Sequence, residues 1–125
     1  MSQGKGKHIL VVDDDALNRE LLQTVLTRSG YVVSHANSGT AAISAVQKNP
    51  PDLILLDVRM VGMTGYEVCK HLKDNPQTSD IPIIMLTAYD EKSSERENAI
   101  QAGANEFFPK MRGWQILLER IVKLI

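Results

Sequence analysis

Short apolar runs of strand length alternate with longer stretches in which apolar residues return at helical spacing, and five such pairs follow one another along the chain. That alternation predicts βαβ units, with a parallel sheet covered by helices on both faces. The runs His8, Ile9, Leu10, Val11, Val12 and Leu53, Ile54, Leu55, Leu56 are almost wholly apolar, as strands buried on both faces must be. Residues 31–35 make a second strand and residues 106–108 a fifth. The fourth covers residues 81–86, with Pro82 near its entrance.

Polar punctuation places the helices. Asp15 caps the first, which carries Leu17, Leu21, Leu22 and Val25 inward and stops at Ser29 and Gly30. Ser38 caps a second, small-residue helix with Ala41, Ala42, Ala45 and Val46, ended by Pro50 and Pro51. Thr64 and Glu67 stand at capping-box spacing for a third, which places Val68, Cys69 and Leu72 on one face. The fourth, residues 90–101, is the most polar; Ala99 and Ile100 are its main anchors, and it is expected to be the loosest element. A last helix from about Gly113 carries Leu117, Ile121 and Leu124 on one stripe. Trp114, Leu118, Val122 and Ile125 add more apolar surface than one stripe needs, which predicts a partner there or a homodimer.

Composition narrows this picture. The chain has 125 residues, 43% of them hydrophobic, which suits one domain over residues 8–125 behind a disordered leader of residues 1–7. With 14 basic against 15 acidic residues the net charge is -1, so neither direct nucleic-acid contact nor a polybasic membrane patch is expected. The single cysteine excludes an internal disulfide framework, and no signal segment opens the chain, so a cytoplasmic location is expected. Cys69 reads as core, Asp15 as a cap, and His8, His35 and His71 are too scattered for a metal site.

Ligand sites in parallel sheets form beyond the carboxyl ends of the strands. The residues expected there are Asp13, Asp14, Asp57, Thr87 and Lys110. Three acids brought so close repel one another, and a divalent cation with hard oxygen ligands, Mg2+ by preference, relieves that repulsion. A carboxylate such as Asp57 is a competent nucleophile toward phosphorus once something neutralises the phosphoryl oxygens. The cation, the Lys110 ammonium and the Thr87 hydroxyl would each serve one oxygen.

The pattern of Ile9 to Asp15, then Asp57, Thr87-Ala88, and Ala102-Gly103-Ala104 ahead of Lys110 resembles the receiver domain of bacterial two-component response regulators, including the chemotaxis type. The resemblance implies a flavodoxin-like, doubly wound α/β fold, with a five-stranded sheet in order 2-1-3-4-5 and five helices. It implies Asp57 as phosphoacceptor, Asp14 as a direct Mg2+ ligand, Asp13 acting through water, and the Arg59 backbone carbonyl completing the protein's share of the metal sphere. Lys110 would pair with the phosphate, Thr87 would move toward it, and Phe107 would switch between rotamers, with Phe108 a competitor for the inward position. The implied phosphoryl donors are a sensor histidine kinase or phosphotransfer protein and, more slowly, small acyl phosphates. The output would be a downstream protein target or a tethered domain. Such a domain is a signalling phosphoacceptor that catalyses its own phosphorylation and dephosphorylation rather than an enzyme acting on other substrates.

Three positions depart from the family pattern. Val61 and Met111 stand where prolines are common, and Pro109 precedes Lys110 instead, in a strand near the sheet edge that tolerates a missing donor. With methionine after Lys110 the usual cis bond would cost ~3 kcal/mol. A trans bond is therefore expected, with Gly113 absorbing the altered path. Two rival functions are weaker. A hydrolase of the haloacid dehalogenase type needs a second carboxylate where Arg59 stands, and a receiver-like module that is never phosphorylated usually has an eroded acidic site.

Overall fold

The computed structural model of the protein describes residues 6–88 and 93–125. Among them the apolar runs form five strands: β1 (His8–Val12), β2 (Val32–Ala36), β3 (Leu53–Asp57), β4 (Ile83–Thr87) and β5 (Glu106–Pro109). All pairings are parallel, in the order β2-β1-β3-β4-β5. Helices α1 (Ala16–Arg28), α2 (Gly39–Lys48), α3 (Gly65–Asp74), α4 (Ser93–Ala102) and α5 (Trp114–Leu124) return the chain between and after the strands. This is the flavodoxin-like, doubly wound arrangement. No helix of the described residues is long and apolar enough to cross a membrane.

Strand alternation divides the interior in two. Leu10, Val12, Ile54, Leu56, Met85 and Phe107 pack with buried residues of α2, α3 and α4. Ile9, Val11, Leu53, Leu55, Ile84, Leu86 and Phe108 face the other way, onto Leu22 and Leu26 of α1 and Leu117 and Ile121 of α5. Phe107 and Phe108 are therefore not competitors, since consecutive strand residues enter opposite layers.

The caps form as the sequence predicts. Asp15, Ser38 and Thr64 accept from Leu17, Ala41 and Glu67 backbone N–H groups, and Thr64 with Glu67 makes the full capping box. Several finer expectations change. In α1, Leu17 is 74% and Leu21 47% exposed, whereas Leu22 and Leu26 are buried. Leu17 lies nine residues before Leu26, which at 100° per residue is about half a turn round the helix. Strand β4 begins at Ile83 rather than Ile81, after Pro82, whose nitrogen has no hydrogen to donate to a ladder. In α4, Ile100 is 62% exposed; the buried side chains are Glu95, Ala99 and Ala102, an i, i+4, i+7 stripe. The start of the predicted fourth helix, residues 90–92, lies outside the described residues.

The surplus apolar surface of α5 is mostly consumed. Trp114, Leu118, Leu124 and Ile125 all pack against the core beside Leu117 and Ile121, and Val122 stays exposed. At helical spacing every one of these except Val122 falls within an arc of about 120°, so the core stripe is wide rather than doubled. Residues 1–5 of the expected leader also lie outside the described residues. Its last two, Gly6 and Lys7, exchange backbone hydrogen bonds with Gly30 and Val32.

Candidate functional site

The strand order reverses between β1 and β3, which places their carboxyl ends side by side at the topological switch point. Val12 is in register with Leu56, so Asp13 and Asp57, the next residue of each strand, stand together. A cleft of about 220 Å³ opens there, lined by Asp13, Asp14, Asp15, Asn18, Asp57, Val58, Arg59, Thr87, Ala88 and Lys110. Every residue predicted for the chemistry lines it. Phe107 does not; it borders a separate cavity between α4, β5 and α5.

Asp13 is buried and held on two sides: its Oδ1 accepts from the Asp15 N–H at 2.9 Å, and its carbonyl accepts from Arg19 Nη1 at 2.7 Å. Asp14 is exposed, and its Oδ2 accepts from the Val61 N–H at 3.0 Å. Proline at position 61 would have no hydrogen to give, so the departure from the family pattern supplies a bond that orients a carboxylate. Lys110 Nζ sits 3.4 Å from Asp13 Oδ2 and 3.5 Å from Asp57 Oδ1, bridging the two buried acids. Burial pushes the Asp57 carboxyl up to about 6; Lys110 opposes that rise, while Asp13 and Asp14 add to it.

Two glycines shape the surroundings. A Cβ on Gly65 would collide with the Asp57 carbonyl oxygen, so only glycine lets α3 start directly beneath the strand end. After β5 the peptide bonds are trans, and Lys110–Arg112 forms one turn of 3-10 helix closed by Gly113 at φ 90. The chain thus reaches α5 without a cis bond at Met111.

One oxygen from each of Asp13, Asp14 and Asp57 lies within 4.8 Å of the other two. An all-carboxylate set of this kind fits a small, hard divalent cation better than a nitrogen- or sulfur-seeking metal.

A family model described as the response regulator receiver domain matches residues 9–122. The chain belongs to that family. It is 41% identical over 116 residues to the response regulator PleD of Caulobacter vibrioides, covering 93% of this chain and 25% of PleD. With the response regulator MprA of Mycobacterium leprae it shares 42% identity over 117 residues, covering 94% of this chain and 50% of MprA. The receiver domain therefore spans between a quarter and a half of these relatives. Among solved structures, a response regulator from Chloroflexus aurantiacus superposes with a TM-score of 0.90 at 38% identity, covering 96% of this chain and 98% of that one. The response regulator TrrA from Thermotoga maritima, in complex with Mg2+ and BeF, superposes with a TM-score of 0.85 at 36% identity, covering 95% of this chain and 99% of that one.

Sequence reasoning missed one component of this receiver site. Thr87 is buried, and its hydroxyl donates to Glu95 Oε2 at 3.2 Å, while Arg59 Nη2 donates to Glu95 Oε1 at 2.8 Å. Nothing in the polar run of α4 distinguishes Glu95 from its solvent-facing neighbours. Only its spacing with Ala99 and Ala102 could have put it on the inner face.

Proposed function

We propose that this receiver domain takes a phosphoryl group onto Asp57 from a sensor histidine kinase or phosphotransfer protein and, more slowly, from small acyl phosphates. The observation that carries the reading is the convergence of Asp13, Asp14, Asp57, Thr87 and Lys110, from four strand ends, on one cleft. In transfer from phosphohistidine, an Asp57 oxygen forms a bond to phosphorus as the phosphorus–nitrogen bond breaks. The electron pair stays with the imidazole, which takes up a proton. No general base is required, because a carboxyl with a pKa of about 6 is mostly ionised at neutral pH.

The protein's contribution is electrostatic and positional. Lys110, already against Asp57, meets one phosphoryl oxygen, and the Thr87 hydroxyl is within the same cleft to meet a second. Asp13, Asp14, Asp57 and the Arg59 backbone carbonyl would hold Mg2+, whose charge offsets that of the phosphoryl oxygens. The complex of TrrA with Mg2+ and BeF supports this choice of ion. The same groups would promote hydrolysis of the acyl phosphate, so the domain sets the lifetime of its own signal.

Signalling follows from the movement of Thr87 toward the phosphate. Its strand leads into α4, and Phe107 packs beneath α4 with Ala99 and Ala102, so a shift of Thr87 re-seats the surface formed by α4, β5 and α5. A downstream protein or tethered output domain would read that surface. Self-association through α5 would use Ile116 and Val122, which stay exposed on it.

Incubation with acetyl phosphate and Mg2+, followed by intact mass measurement, tests the acceptor. One phosphoryl group should be added to the wild type and none to Asp57→Asn. Equal labelling of the two would overturn the assignment.

A further inference from the structure

The Glu95 side chain is only 10% exposed, yet it belongs to a helix whose other charged residues face water. A carboxylate is taken out of water only when its oxygens are bonded, and both of these are: one accepts from Arg59, the other from Thr87. Arg59 follows the end of β3 by two residues, and Thr87 ends β4, so one α4 side chain is tied to the exits of both strands. Tyr66 of α3 adds a bond from its hydroxyl to the Glu95 carbonyl at 3.4 Å. Among the described residues α4 also buries Ala99 and Ala102 against the core, and Cys69 Sγ of α3 donates to the Ala102 carbonyl at 3.4 Å.

A threonine hydroxyl carries a single hydrogen. It cannot donate to Glu95 and to a phosphoryl oxygen together. We propose, on the basis of the phosphoacceptor reading above, that Glu95 is a positioning residue that holds the Thr87 hydroxyl toward α4, so that a phosphoryl group at Asp57 must take Thr87 from Glu95. The exchange breaks one of the polar ties that hold α4 to the strand ends. Glu95 thereby makes binding of the anion weaker than the cleft alone would allow, and converts that loss into release of the helix.

The test is a double-mutant cycle read by Mg2+-dependent BeF binding, which mimics the phosphoryl group without turnover. Glu95→Ala should bind about tenfold more tightly than wild type, the scale of one charge-assisted hydrogen bond no longer opposed. In a Thr87→Ala background the same substitution should change affinity by about twofold or less, since only through-space repulsion remains. Glu95→Gln, which preserves the side-chain shape and one acceptor oxygen, should give a smaller gain that also vanishes without the Thr87 hydroxyl. Amide exchange provides a second readout: BeF should accelerate exchange in α4 of the wild type, and Glu95→Ala should show the faster exchange before BeF is added. Equal gains in both backgrounds, or no gain in either, would overturn the role of Glu95 while leaving Asp57 as acceptor. If wild-type protein bound no BeF at all, or bound it equally as Asp57→Asn, the phosphoacceptor reading itself would fall and this one with it.

Discussion

Helix α3 and the described part of α4 cover the same face of the sheet, but different forces hold them. α3 begins at a complete capping box and buries Val68, Cys69 and Leu72, three side chains that fill the layer under β3 and β4. Among the described residues α4 buries two alanines and a glutamate, and the glutamate is bonded to residues at the mouth of the cleft. Packing is non-directional and indifferent to charge in the cleft. A hydrogen bond can be taken by a better acceptor. On the proposal above, the helix that answers a bound anion is the less packed of the two, and α3 beside it stays in place as the reference.

The largest expected effect tests the packed side of this contrast. Leu72→Ala should lower stability by about 3 kcal/mol, because a buried leucine lost from a tight layer forfeits both transfer energy and packing. Urea unfolding measures it. Phosphorylation by acetyl phosphate should continue at the wild-type rate, and Ile100→Ala on exposed α4 surface should change stability by no more than about 0.5 kcal/mol. Similar losses at both positions would erase the distinction.

The charged side should respond to pH instead. The Asp57 carboxyl has a pKa of about 6 in the folded protein against 3.8 ordinarily, so the fold holds this proton more tightly than the unfolded chain does. Its contribution to stability is complete below about pH 4 and is lost as the pH rises through about 6. At pH 7 the ionised group costs the metal-free protein about 3 kcal/mol. Asp57→Asn should regain that amount and flatten the unfolding profile between these limits, whereas Mg2+ should stabilise the wild type and not the variant. An unchanged profile in Asp57→Asn would show that repulsion in the cleft is not felt by the fold.

A smaller effect is expected at the entrance of α3. Thr64→Ala removes half of the capping box and should cost about 1 kcal/mol, again without altering phosphorylation. Smallest is Val61→Pro, which deletes the N–H that orients Asp14. Mg2+ binding followed by calorimetry should weaken about threefold, the effect of one exposed hydrogen bond. Tighter binding would mean that this bond holds Asp14 away from the metal position.

The contrast between the helices also explains what could be read in advance. Wherever one physical signal dominates, the chain is legible: the uninterrupted apolar runs of β1 and β3 give buried strands, Thr64 with Glu67 gives the α3 start, and acids at strand ends give the cleft. Strand order needed the family resemblance, because periodicity says nothing about which strands are neighbours. Leu17 and Leu21 are as hydrophobic as their buried neighbours, but the helical angle to Leu22 and Leu26 places them outside the stripe. Glu95 was illegible for a deeper reason. Its burial depends on Thr87 and Arg59, two partners on other elements, and a polar residue in a polar helix carries no local mark of such a tertiary bond.

The most direct measurement is chemical trapping of the acceptor. After reaction with acetyl phosphate and Mg2+, borohydride reduces an aspartyl phosphate to homoserine, and peptide mapping then reads the modified position. The account predicts homoserine in place of Asp57 and unmodified Asp13 and Asp14. Reduction at either of those two residues, or at none of the three, would contradict it.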